Sequence, residues 1–171
     1  MHSLAELNRA DRTAFVAALG AAFEHSPWVA ERAFTAQPFA TVAALHAAML
    51  QAVRVASRVE QLALIRAHPE LAGREAAAGA LSADSATEQG RLGINALSRP
   101  EFERMRELNR RYSEKFGFPC IIALRLHADR ASVLAEFERR LANGTEAEIE
   151  DALAQIGHIT RGRLEKLVRE D

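Results

Sequence analysis

The 171 residues are enough for one domain with a single sizeable core, and 49% of them are apolar, which excludes a disordered chain. A formal net charge of −1 leaves no basic footprint for nucleic acid or for an anionic membrane surface. No apolar run approaches the roughly 20 residues that cross a bilayer.

Alanine, leucine, glutamate and arginine dominate and β-branched residues are few, so helix is favoured almost everywhere. Leu4 to Phe23 reads as one or two short helices. Ser26-Pro27 reads as an N-cap followed by proline at the first helical position, with Trp28 packing in the core. Thr41 to about Arg66 reads as one long alanine-rich helix, which must end near His68 because a residue before Pro69 is pushed out of the α region. Capping boxes are expected at Ser85-x-x-Glu88, Ser98-x-x-Glu101 and Thr145-x-x-Glu148. Glu101 to Lys115 carries Phe102, Met105, Leu108 and Tyr112 on one side, with Asn109 beside them as a buried hydrogen-bonding residue. Arg130 to Ala142 carries Val133, Leu134, Phe137 and Leu141, and Asn143-Gly144 stops it. The last helix, about Glu146 to Arg169, carries Ile149, Ala152, Ile156, Ile159 and Leu167.

The apolar run Phe118 to Leu124 is short and partly β-branched, but a lone strand cannot satisfy its backbone. It is expected to be a buried turn or short helix inside an all-α, single-domain multi-helix bundle spanning residues 1–171. Gly117 and Pro119 would leave backbone groups there open to a ligand.

Cys120 is the only cysteine, so no intrachain disulfide can form and a reducing compartment is expected. The opening Met1-His2-Ser3-Leu4-Ala5 lacks a secretory pattern. The ending Arg169-Glu170-Asp171 is not a peroxisomal address. Cytoplasm is the expectation. Nothing near Cys120 would lower its pKa, so it reads as a small buried hydrophobe and not as a nucleophile. No histidine or cysteine pattern has metal-ligand spacing and no nucleotide-binding motif occurs, so no cofactor and no metal are expected.

Three residues stand out for chemistry. His68 projects from a stiff helix junction, where pockets form, or it is a surface or N-capping histidine. Glu88 reads first as the glutamate of a capping box, although a helix N-terminus framed by Ser85, Glu88 and Gln89 would also suit an anion. Arg163 is marked by phase: seven residues from Ile156 at about 100° each return it to within roughly 20° of the apolar stripe. Arg161 and Arg169 fall on other faces. A guanidinium on that stripe needs an anion, either a structural partner, a substrate carboxylate or a catalytic glutamate; otherwise it snorkels at the stripe's edge.

In order and spacing the chain resembles the 2-oxo-4-hydroxy-4-carboxy-5-ureidoimidazoline (OHCU) decarboxylases. The resemblance runs through Leu7-Asn8, Ser26-Pro27-Trp28, Pro38-Phe39, His68-Pro69-Glu70-Leu71-Ala72 and Ser85-x-x-Glu88-Gln89. It continues in Leu108-Asn109-x-x-Tyr112-x-x-Lys115-Phe116-Gly117-Phe118-Pro119, Arg140-Leu141-x-Asn143 and Ile156-x-x-Ile159-x-x-x-Arg163-Leu164. Gln37 and Cys120 depart from the family pattern, where arginine and phenylalanine are common. The resemblance implies an all-α homodimer converting OHCU to (S)-allantoin and CO₂, the last step from urate to allantoin, without a cofactor. It implies His68 as the acid–base residue, with Glu88 and Arg163 as the other catalytic members. Pro69, the turn Ser85, Ala86, Thr87, Glu88 and Gln89, and the segment of Phe118, Cys120, Ile121, Ile122, Ala123 and Leu124 are implied as substrate-binding walls. The rival reading is a non-enzymatic helical adaptor, or a DNA-binding domain using Arg104, Arg106, Arg110 and Arg111. Those arginines lie opposite the core stripe and read as a solvated face.

Overall fold

In the computed structural model, which describes residues 1–170, the chain is all-α apart from one two-residue strand near each end. Asp171, included in the expected 1–171 domain, lies outside the described residues. In chain order the elements are β1 (His2–Ser3), α1 (Leu4–Arg9), α2 (Arg12–Leu19), α3 (Trp28–Ala33), α4 (Val42–Arg54) and α5 (Arg58–Arg66). There follow α6 (Arg74–Ala77), α7 (Ala83–Arg91), α8 (Arg99–Phe116), α9 (Arg130–Leu141), α10 (Thr145–Leu167) and β2 (Val168–Arg169).

Contacts gather the chain into two units, Met1–Ala67 with Gly157–Asp171, and His68–Ile156. In the first, α3 packs on α2 and α4, and Phe15 lies at the centre against the rings of Phe34 and Phe39. Leu19, Val29, Leu45, Met49, Leu64 and Ile65 complete that core. Asn8 ties the loop before α4 by a reciprocal pair, donating to the Phe39 carbonyl and accepting from the Phe39 N–H, both at 2.8 Å. β1 pairs with β2 in parallel. In the second unit α8 packs on α9 around Tyr112, whose ring meets Phe116, Phe118 and Phe137, with Met105 and Leu108 buried nearby.

Several boundaries differ from expectation for local reasons. The long helix from Thr41 is broken: α4 ends at Arg54, and Ser57 opens α5 with a full capping box to Glu60. The Ser57 hydroxyl accepts from the Glu60 N–H and the Glu60 carboxylate from the Ser57 N–H, and this reciprocal pair makes a new start preferable to continuation. Ser3 and Glu6 form another such box at α1. The Ser98–Glu101 box is present. The Ser85–Glu88 box is not, because α7 begins earlier and Ser82 is its N-cap, accepting from the Ser85 N–H at 3.2 Å. Thr145 is already helical, and Glu148 turns inward to Arg140 instead of capping. Pro27 itself stands at the cap of α3, with no side-chain cap bond. Phe102 is 41% exposed and off the core stripe, and Trp28 is half-buried under the Arg32 guanidinium. Asn143-Gly144 separates α9 from α10 as expected.

Candidate active site

His68 follows directly on the C-terminal turn of α5, and its imidazole is buried. The chain after it is held in an uncommon shape. Ala72 has φ of 50°, a left-handed conformation that costs an alanine on the order of 1–2 kcal/mol. Its N–H donates to the Gln89 Oε1 at 3.0 Å, and the Gln89 Nε2 donates to the Glu70 carbonyl at 3.3 Å. Asn109 on α8 donates to the Leu71 carbonyl at 2.9 Å, so the expected buried amide is there and its partner is this loop. A side chain at Gly73 would meet the Glu70 Cβ at 2.6 Å, which only glycine avoids. Burial, reinforced by Glu75, raises the Glu70 carboxyl above its usual range. The His68-Pro69 junction is thus followed by a backbone braced from α7 and α8.

Residues 85–89 form the middle of α7 and not a turn at its start. Ser85 and Gln89 are buried, Glu88 is half-buried, and Ala86 and Thr87 are exposed. This is the division that helical spacing imposes on five consecutive residues. Thr87 spends its hydroxyl on its own helix, donating to the Ala83 carbonyl at 2.8 Å.

After Gly117, whose φ of 73° ends α8, the chain runs without helix or strand until the 3-10 turn Leu124–Leu126. Phe118, Cys120, Ile121, Ile122, Ala123 and Leu124 are all buried there. The segment is buried and forms no strand, as expected, but in place of a turn or short helix it is irregular until Leu124. Burial pushes the Cys120 thiol up to about 12, which suits a packing residue and not a nucleophile. Arg91, at the end of α7, donates to the Leu124 carbonyl and, at 2.8 Å, to the His127 carbonyl. Through Gln89 and Arg91, α7 therefore joins the loop after His68 to the Phe118–Leu124 segment.

In the other unit Arg163 is buried on α10 and its Nη1 donates to the Glu24 Oε2 at 2.8 Å. Glu24 escaped the sequence reading: it lies in a short loop, where no periodicity marks an inward-facing side chain. A second missed element is the buried cluster of Arg140, Glu148 and Tyr112, joined by the half-buried Asn143. Arg140 stands seven residues after Val133, the same spacing that marks Arg163, so helical phase could have found it, whereas Glu148 looked like a cap. Arg104, Arg106, Arg110 and Arg111 are exposed, as a solvated face requires, and Arg110 is spanned by Glu107 and Glu114.

The chain is 40% identical over 166 residues to the 2-oxo-4-hydroxy-4-carboxy-5-ureidoimidazoline decarboxylase of Haloferax volcanii, covering 96% of each. It is 35% identical over 170 residues to the uric acid degradation bifunctional protein PucL of Bacillus subtilis, covering 99% of this chain and 33% of that one. Among solved structures it resembles an (S)-allantoin synthase with a TM-score of 0.75 and 28% identity, spanning 97% of this chain and about half, 54%, of that chain. Residues 8–165 match the family model described as OHCU decarboxylase, and with that extent of likeness the chain belongs to the OHCU decarboxylase family.

Proposed function

We propose that this protein is a carboxy-lyase that converts OHCU to (S)-allantoin and CO₂, closing the route from urate to allantoin. The family match over residues 8–165 carries this reading, and because it runs through both units it favours their working as one domain. In the reaction the bond to the carboxylate breaks and CO₂ leaves. The electron pair moves into the unsaturated ring, whose nitrogen takes up a proton from solvent; the hydroxyl then loses its proton to become a ring carbonyl as one proton is delivered to the adjacent ring carbon. The substrate is its own electron sink, so the chemistry requires no pyridoxal or thiamine group.

His68 takes the hydroxyl proton in its neutral form and returns a proton to one face as imidazolium, the two roles that an imidazole can alternate between. Its buried place at a braced junction supports this role. Glu88, half-buried on the adjoining α7, is its polar partner, and Arg163 offsets developing negative charge. Pro69, residues 85–89 and the buried run Phe118–Leu124 line the substrate. The apolar side chains of Ile121, Ile122 and Leu124 keep the departing carboxylate poorly solvated. The protein acts as a cytoplasmic homodimer, free of nucleic acid and membrane. No helix among the described residues is long and apolar enough to cross a membrane.

The test is the decay of freshly generated OHCU, followed by ultraviolet absorbance and circular dichroism. Added protein should accelerate it and yield the (S) enantiomer, while His68→Asn should abolish the acceleration with the helical spectrum intact. A His68→Asn variant near wild-type rate would overturn the role of His68; no acceleration by the wild type would overturn the activity.

A further inference from the structure

Before the 3-10 turn at Leu124, whose local bonds use the Ala123 and Leu124 carbonyls, the segment from Phe118 has no strand or helix ladder, so its other buried backbone groups must find partners elsewhere. Three side chains from three helices supply them. Arg140 on α9 donates from Nη1 to the Ile121 carbonyl at 2.9 Å. Gln155 on α10 accepts from the Ala123 N–H at 2.8 Å. Arg91 on α7 also takes the Leu124 carbonyl. Arg140 is itself fixed from behind. Its Nε donates to the Glu148 Oε1 at 2.6 Å, and that carboxylate also accepts from the Tyr112 hydroxyl and, at 2.8 Å, from the Asn143 Nδ2. Arg140 and Glu148 are both 0% exposed.

A desolvated ion pair is a poor means of stabilising a core, since apolar residues of like volume commonly do as well. What it provides, and a leucine would not, is a donor with one fixed direction. Here that direction is toward the Ile121 carbonyl. The gripped atoms, Ile121 O, Ala123 N and Leu124 O, fall within one four-residue stretch whose packing side chains are aliphatic and could slide without such anchors.

We infer that Arg140, Gln155 and Arg91 are positioning residues for the reaction, clamping the backbone of residues 121–124 in the form that receives substrate. This rests on the substrate-binding role proposed above for that segment. None of the three touches the reacting atoms; they act through the backbone they hold. Loosening the clamp weakens substrate binding before it alters the chemical step, because the segment contacts ground state and transition state alike.

Gln155 gives the cleanest test. Gln155→Leu removes the acceptor for the Ala123 N–H, and Gln155→Glu restores an acceptor at the same reach. With OHCU as substrate, Gln155→Leu should raise KM about tenfold, the value of one well-made hydrogen bond, with kcat within about threefold of wild type. Gln155→Glu should recover most of the lost affinity. Should Gln155→Leu fail to fold, Arg91→Met, at an exposed position, gives the same readout. An active wild type with unchanged KM in the folded variant, even with a lowered Tm, overturns the clamp alone and makes these contacts merely structural. An inactive wild type overturns the decarboxylase reading and the clamp with it.

Discussion

Glu24 and Arg163, 139 positions apart in sequence, close to 2.8 Å with only 3% and 2% of their side chains exposed. The apolar stripe of α10 demands an anion beside Arg163, and the loop between α2 and α3 provides one. Removing one partner takes a buried counter-charge from the other. Glu24→Ala should therefore cost about 3–5 kcal/mol in urea denaturation. Arg163→Lys should lower both stability and OHCU turnover, while Arg161→Lys, on an exposed pair with Glu165, should change stability by less than about 0.5 kcal/mol. Equal tolerance at 161 and 163 would remove the special status of Arg163.

The Arg140–Glu148 pair makes a separate stability prediction. Glu148→Ala should also cost about 3–5 kcal/mol, because Arg140, Tyr112 and Asn143 lose a common acceptor. The double variant Arg140→Met/Glu148→Leu should regain much of that loss, since no charge is left stranded. Denaturant midpoints for the two variants decide it; a double variant less stable than Glu148→Ala would contradict the account.

His46 sets a pH dependence. It is buried, it lies 3.0 Å from the Thr160 hydroxyl, and burial first, with the nearby Arg161 charge second, lowers its pKa below the ordinary 6.5. Below that value the unfolded chain binds a proton that the folded imidazole resists. Stability from this group is thus fully present above about pH 6.5 and is lost as pH falls toward the lowered folded value. Comparing urea midpoints at pH 7.5 and 5.5, the wild type should lose more than His46→Gln. Equal losses would show that His46 does not carry the effect.

Cys120 should be inert while the protein is folded. With the thiol pushed up to about 12, little thiolate exists at pH 8, and the side chain is buried as well. Alkylation by iodoacetamide should be at least about a hundredfold slower than in urea-unfolded protein. Rapid labelling of the folded form would contradict the burial of the Phe118–Leu124 segment.

Much of this was legible in the residues. Local rules decide where a single helix starts and how its face repeats, so the Ser98–Glu101 box, the helix of Glu101 to Lys115, the stop at Asn143-Gly144 and the inward phase of Arg163 could all be read directly. The same rules misplaced the start of α7, because Ser82 and Ser85 are both competent caps and only the packing of Gln89 against the Glu70–Ala72 loop favours the earlier one. They joined α4 to α5, because alanine-rich sequence carries no penalty for continuing through residues 55–57, while the Ser57–Glu60 box, which ends it, was passed over.

The sequence by itself determined the helical class, the inward face of α8, α9 and α10 apart from Phe102, and a charged side chain committed to a buried stripe at residue 163. These follow from periodicity and capping, which act over a few residues. Only the tertiary structure decided that Glu24 answers Arg163, that Glu148 answers Arg140 and does not cap α10, and that three helices grip the backbone of residues 121–124. Each of these joins residues by the geometry of close packing, and a buried charge or amide states only that it needs a partner, not which one the fold will bring.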